Sequence, residues 1–372
     1  MNHRQRFSAS FGTWAALVVV LVSISDRVLA QASADPRYQT RQSDCRHEPP
    51  PGAALPVRRT DSGITKRGYR AEQVLTQSAD AGRTKGGQLL ICTEYGGVEI
   101  ADSDDNQLRL QIRIEGSGEG STRPADAAAQ VIGETKLHTF MTIHNGQLMV
   151  RVWHSTLGFS RPGSQPAWVS VRLLVPARGA YRVTTEAFHG EIAIRRLILS
   201  GVTMRGNVGD KLKGIPGFIG FTELDYVELN GDVDIDNLAG LPGIREPVPP
   251  NLAPTAAPIL VKARAGSSCQ LKAVTGGDIS ISIQPAPDVG VKALGESNTG
   301  RVTIGLDGGV SGDAAGASAF QVRRFSSTAG YDSKPIRIGI RASSGTGNVN
   351  IVSIPAARLA PPITVNIFRD HW

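Results

Sequence analysis

Aromatic side chains are scarce in this chain of 372 residues, at 5% of the total, and there are only three cysteines. Runs of like charge are missing too. Basic residues come in pairs such as Arg58-Arg59, Lys66-Arg67, Arg195-Arg196 and Arg323-Arg324, so no nucleic-acid-binding arm is present and nucleic acid is not an expected partner. Beyond the first thirty residues no stretch is apolar enough to cross a membrane as a helix, and neither a heptad nor a Gly-X-Y period is sustained. Multi-span membrane proteins, coiled coils and collagens are thereby excluded. H-E-x-x-H, G-x-S-x-G and G-x-x-x-x-G-K-[ST] are all absent, so no zinc-protease, hydrolase-elbow or phosphate-loop chemistry is indicated and no cofactor is expected.

What the chain does have is glycine, 42 residues of it, with 40% hydrophobic and 20% charged residues, enough apolar material for one large or two medium folded domains. Residues 1–30 carry His3, Arg4 and Arg6, an apolar run from Trp14 to Ile24, then Val28-Leu29-Ala30. The run is shorter than the roughly 20 residues a spanning helix needs, and small residues follow it, which predicts a cleavable export signal. Cleavage after Ala30 would leave 37 basic and 32 acidic residues, a modest and scattered surplus. The expected location is outside the cytoplasm: periplasm, cell surface or medium.

Three cysteines, Cys45, Cys92 and Cys269, are an odd number for an oxidising compartment. A Cys45–Cys92 disulfide would tether a polar, Pro-rich N-terminal stretch to the first strand, leaving Cys269 as a small core residue. No two of them have the spacing of a metal-binding pair.

Residues 31–87 are polar, include Pro49-Pro50-Pro51-Gly52, and follow no period, which predicts an extended, partly disordered lead-in. From Gln88 short β-branched runs broken by Gly, Asn and Asp predict strands: one β region over 88–237, a Pro-rich loop or linker over 238–258, and a second β region over 259–372. One short helix is expected at 124–133, with Ser121 and Thr122 as candidate caps and Pro124 in its first turn. Asn145-Gly146 then joins two alternating segments in a hairpin. In the register of a two-residue loop, Met141 and Ile143 share a face with Leu148, Val150 and Val152, while His138, Phe140, Arg151 and Trp153 occupy the other. Those four residues either bind a flat ligand such as a sugar ring or lie beneath the Ala-rich helix, and the way helices pack on sheets favours burial.

One pattern recurs six times: Gly, any residue, Val or Ile, any residue, Val or Ile. The copies are Gly96–Ile100, Gly190–Ile194, Gly231–Ile235, Gly277–Ile281, Gly300–Ile304 and Gly347–Ile351, where chance at this composition gives about one. Most separations lie near multiples of about 23 residues, within the range of stacked β repeats. Glycine is expected to supply the turn dihedral, the β-branched pair to face a core, and the residues between them to face solvent. A β-solenoid or stacked β-roll of short Gly-started strands is the expected fold.

Residues 88–114 (QLLICTEYGGVEIADSDDNQLRLQIRI) and 169–194 (VSVRLLVPARGAYRVTTEAFHGEIAI) resemble the bacterial putative adhesin family of Gly-punctuated β-repeat domains. Gly276-Gly277-Asp278-Ile279 and Gly300-Arg301-Val302 continue the rhythm, and the resemblance covers about 88–354. It implies an exported β-rich fold and brings no catalytic residues with it.

Asp232, Asp234 and Asp236 alternate like the opening of a calcium loop, but the twelfth position would be Gly243 in place of Glu, and alternation with Val233 and Ile235 explains them as one face of a strand. Glu191 and Asp232 occupy equivalent repeat positions and would be a carboxylate pair if stacking brought them together. The function expected is a non-catalytic, adhesin-type binding or scaffolding role at the cell envelope, with acidic polysaccharide or the envelope surface as partner. The alternative is a polysaccharide-cleaving β-helix enzyme, which would require convergent carboxylates of perturbed pKa. Intact-mass analysis of exported protein is expected to show an N-terminus at Gln31; retention of residues 1–30 would overturn the signal-peptide assignment.

Overall fold

The computed structural model describes residues 58–59, 61–81, 84–155, 166–206, 221–237, 258–313 and 322–354. The Pro-rich segment lies outside them, apart from Pro258. The fold is mainly β. In chain order the first elements are β1 (Arg58–Arg59), β2 (Ile64–Arg67), β3 (Arg70–Asp80), β4 (Gly86–Tyr95), β5 (Val98–Ser103) and β6 (Gln107–Ser117). Helix α1 (Pro124–Glu134) follows, then β7 (Lys136–His144), β8 (Gln147–Ser155), β9 (Trp168–Pro176), β10 (Ala180–His189), β11 (Ile192–Arg195) and β12 (Ile198–Gly206). Next come β13 (Thr222–Leu229), β14 (Val233–Asp236), β15 (Ile259–Ala265), β16 (Cys269–Thr275), β17 (Ile279–Gln284) and β18 (Val289–Ser297). The last are β19 (Val302–Gly305), β20 (Val310–Asp313), β21 (Val322–Ser327), β22 (Ile336–Ser344) and β23 (Val349–Ser353).

Strands pair with the strand two places away, in parallel, and so build two ladders. The first runs β8, β4, β10, β12, β14, β16, β22, β18. The second runs β9, β5, β11, β13, β15, β17, β23, β19. A short pairing of β12 with β13 links them. Spatial order departs from chain order at both ends: β4 and β5 are inserted inside β8 and β9, and β22 and β23 inside β18 and β19. Antiparallel strands flank the ladders, with β7 on β8 and β21 then β20 beyond β18, while β6 and β3 lie outside β9.

Alternation along each strand puts one row of aliphatic residues inward, and in-register pairing stacks that row across strands. Val150, Leu89, Val183, Val202, Val233, Leu271, Ile340 and Ala293 form one such column, all buried. Leu173, Ile100, Ile194, Leu224, Val261, Ile281 and Ile351 form its counterpart in the second ladder. Each burial contributes about 1.5–3 kcal/mol, and none is available to a strand pair standing alone.

Five of the six repeat copies sit where the chain passes from the first ladder to the second. The sixth, Gly231–Ile235, instead enters β14 in the first ladder. The dihedral argument for glycine holds at Gly96 and Gly190, with φ of 141° and 150°. At Gly300 and Gly347 the requirement is space: a Cβ on Gly300 would overlap the Gly347 carbonyl, and one on Gly347 would overlap Gly277. Buried hydroxyls tie these corners together. Gly300 N–H donates to Ser297 Oγ (2.8 Å), which donates to the Gly347 carbonyl (2.8 Å); Gly347 N–H donates to Ser344 Oγ (2.9 Å), which donates to the Gly277 carbonyl (2.7 Å). Backbone groups that would otherwise be buried without partners are thereby satisfied.

Three expectations need correction. Strands begin within the expected lead-in, because β3 pairs along its whole length with β6 and sheet pairing imposes an extended chain that β3's own irregular polar pattern does not announce. The N-cap of α1 is Arg123 with no side-chain cap bond, since Ser121 Oγ is engaged by the Arg123 N–H. The residues between repeat aliphatics are not simply solvated. Ala193 is buried, and Asp234 accepts from Arg205 Nη2 at 2.9 Å while Lys272 stands 3.9 Å away.

Ile235→Asp places an unpaired charge in a fully buried column and is expected to abolish folding, at a cost of several kcal/mol against a total of about 5–15. Asp234→Ser leaves the largely buried Arg205 short of a partner and should cost about 1–3 kcal/mol by denaturant melting. Equal effects would show the faces to be reversed.

Candidate functional site

Asn145 and Gly146 have φ of 51° and 75°, the two left-handed residues of a tight hairpin turn, and they fix β7 against β8. The register pairs His138 with Trp153 and Phe140 with Arg151. Met141, Leu148, Val150 and Val152 are buried on the inner face. On the outer face His138 is exposed, and Phe140, Arg151 and Trp153 are half-buried. The imidazole of His138 stacks on the Trp153 indole with ring centroids 5.1 Å apart and an interplanar angle of 27°. The helix does not cover them, as packing habit suggested. Its residues Ala128, Val131 and Ile132 are buried against β3 and β6, where Gly116 makes room for the Ala128 carbonyl. All four sequence-nominated residues are thus together on one outward face: ring surfaces for stacking beside a guanidinium.

The outward face of the second ladder is charged and internally compensated. Glu99, almost buried, is 3.1 Å from Arg172 and 3.5 Å from Arg195, which reaches Glu223 at 2.8 Å. Lys262 is 3.0 Å from the buried Asp225, and Arg196 is 2.6 Å from Asp102. On β18 of the first ladder Glu296 is held by Arg323 at 2.6 Å and by Ser343 at 3.0 Å. Paired in this way, these carboxylates tie neighbouring strands together.

Glu191 and Asp232 are not equivalent: Glu191 leads into β11 of the second ladder and Asp232 into β14 of the first. Asp232 Oδ1 accepts the Gln270 N–H at 2.8 Å, an ordinary strand-joining bond. No group of three metal-ligating side chains occurs among the described residues. No helix among them is long and apolar enough to cross a membrane. Cys92 is disulfide-bonded, whereas Cys269 is a free, buried thiol pushed up to about 11 by burial and, secondarily, by Asp232. Cys45 lies outside the described residues.

A cluster that sequence patterning did not single out stands on β3, β6 and β9. Glu115 is paired directly with Glu72 on one side and with Trp168 on the other. Arg113 Nε is 2.8 Å from Glu72 and its Nη2 is 3.4 Å from Glu115. Trp168 Nε1 donates to Ser170 Oγ at 3.1 Å. Burial pushes the Glu115 carboxyl up to about 7; Arg113 opposes this, Glu72 adds to it, and Arg70 opposes it. Alternation in Arg109, Gln111, Arg113 and Glu115 was a visible signal, but its partner strand lay in the segment expected to be irregular.

The geometry defines a mainly parallel-β protein in which aromatic and basic residues of β7 and β8 lie on a face that α1 does not cover. Neither a family model nor a curated protein matches the chain. Among solved structures it is similar to a protein from Clostridium sporogenes described as a putative cell adhesion protein, at 9% identity over 76% of this chain and 100% of that one, with a TM-score of 0.38. It is also similar to a putative adhesin from Bacteroides fragilis, at 9% identity over 76% of this chain and 97% of that one, with a TM-score of 0.23. At these values the functional reading rests on the chain's own residues.

His154 continues the inner row of β8, buried, with no hydrogen-bond partner for Nδ1 among the described residues, and burial lowers its pKa to about 4. The unfolded chain, with an ordinary imidazole near 6.5, binds the proton more readily. Its contribution to stability is therefore intact above about pH 6.5 and lost as pH falls towards 4, by about 3 kcal/mol. Denaturant melts at pH 7 and pH 4 are expected to show a smaller acid loss for His154→Leu than for the parent. An identical loss would place the titration elsewhere.

Proposed function

We propose that this chain is an exported, non-catalytic binding protein of adhesin type, built as a β-solenoid, which attaches to acidic polysaccharide at the cell envelope through the outer face of β7 and β8. The observation that carries this reading is the position of α1 on β3 and β6, which leaves His138, Phe140, Arg151 and Trp153 uncovered by the helix. A sugar ring stacks on Trp153 and Phe140, and its carboxylate meets Arg151. In the same reading residues 1–30 are an export signal, 238–258 is a loop or linker joining β14 to β15 within ladders that run on across it, and Cys45 is the partner of Cys92, tying the N-terminal stretch to β4.

The Glu72–Glu115 pair is the one observation that favours a polysaccharide-cleaving enzyme instead, since its two carboxyls are cross-strand neighbours and one of them titrates near 7. Arg113 engages both, which deprives hydrolysis of a free base, and the binding role is the better account.

Each aromatic contact is worth about 1 kcal/mol, so one patch gives millimolar to micromolar affinity that becomes useful by multivalency. Binding of the protein to polygalacturonate, followed by calorimetry, is expected to weaken as sodium chloride rises and to fall severalfold in Arg151→Ala and in Trp153→Ala. Salt-independent binding, or binding untouched by both changes in a folded protein, removes this face from the mechanism.

A further inference from the structure

The cluster on β3, β6 and β9 is not explained by packing alone. On the second ladder Arg195, Asp225 and Lys262 alternate in sign from strand to strand, whereas here two carboxylates are direct cross-strand partners, an arrangement that is destabilising when both are ionised. Arg113 offsets it, and Trp168 stands next to Glu115 with its indole N–H already turned to Ser170. At the margin of the cluster Arg70 lies exposed, its guanidinium 5.3 Å from the Tyr69 ring centroid, opposite Arg67 across the β2–β3 turn.

We propose that this face is a second anion-binding site, for a sulfated or carboxylated saccharide, in which Trp168 offers a stacking surface, Arg70 and Arg113 supply cations, and Glu115 is a proton-dependent gate. The site extends the acidic-saccharide reading to a separate face and rests on that reading for the class of ligand.

The charged groups facing Glu115 are Arg70 and Glu72 from β3 and Arg113 from its own strand; β9 contributes Trp168 and Ser170, which carry no charge. Arg67 on β2 stands beyond Arg70. With Glu115 ionised, its carboxylate repels an incoming anion and shares Arg113 with Glu72. Protonation removes one negative charge from the cluster, weakens the attraction between Arg113 and Glu115, and opens hydrogen-bonding capacity toward the ligand. Since burial holds this titration near 7, the change falls between mildly acidic and mildly alkaline pH. Anion affinity therefore rises as pH falls through 7.

The test is calorimetry of the full chain with a dextran sulfate oligosaccharide, whose charge is constant over the range, and with neutral dextran as control. An Arg151→Ala/Trp153→Ala background silences the hairpin face. In that background, binding of dextran sulfate is expected to be severalfold tighter at pH 5.5 than at pH 8.0. Glu115→Gln is expected to remove most of that difference by raising affinity at pH 8.0. Arg70→Ala, an exposed change with little consequence for folding, and Trp168→Leu should each weaken binding severalfold at pH 5.5. Equal binding of neutral dextran, or dextran sulfate binding that ignores both Arg70→Ala and Glu115→Gln, overturns the site. The two faces fail separately: loss of polygalacturonate binding with Arg70→Ala but not with Arg151→Ala or Trp153→Ala would refute the hairpin and leave this cluster standing.

Discussion

Close approach of backbone to backbone at the corners is the constraint on which the structure depends. Parallel strands stack in register only if the turns joining the two ladders stack as well, and a side chain at Gly347 or Gly300 would collide with the corner of the neighbouring layer. Register in turn decides which residues are buried, because a slip of one position would exchange each aliphatic column for the charged row beside it. The Ser297 and Ser344 hydroxyls act on the same corners, passing hydrogen bonds from one layer to the next where water is excluded. Hydrophobic stacking supplies most of the stabilisation, and the corners determine that it is collected in one register.

A stack of parallel strands has two ends, each presenting unpaired backbone groups to the next available edge. Both ends are treated alike here. The terminal pair of strands is formed out of chain order, so that later or earlier sequence is locked inside it, and antiparallel strands then continue the sheet. At one end α1 adds Ala128, Val131 and Ile132 over β6, closing the aliphatic columns against solvent. That use of the helix is what leaves the hairpin face without a helical cover, so a stability requirement at one place produces the candidate binding surface at another.

Charges on the outward faces divide into two kinds. Glu99, Arg195, Glu223, Asp225 and Lys262 meet opposite charges on neighbouring strands and reinforce register. Glu72 and Glu115 are cross-strand partners of like charge, which Arg113 offsets and burial of Glu115 accentuates. His138 and Trp153, by contrast, are drawn together by ring stacking on a strand pair whose inner face is already secured by Leu148, Val150 and Val152.

Local sequence determined the elements whose signal is local. Asn145-Gly146 specified the hairpin and therefore the shared face of His138, Phe140, Arg151 and Trp153; Pro124 and the alanines specified the helix; and Gly-x-Val-x-Ile specified short strands with a buried side. What these elements pack against was decided by tertiary structure. The destination of α1, the inclusion of β3 in the sheet, and the meeting of Glu72 with Glu115 all depend on pairings between segments far apart in the chain. Glu191 and Asp232, alike in sequence, fell on different ladders for the same reason. A periodic pattern records which side of a strand is buried, but the neighbour of that strand is chosen by register, corner contacts and capping, and none of these is encoded within a single repeat.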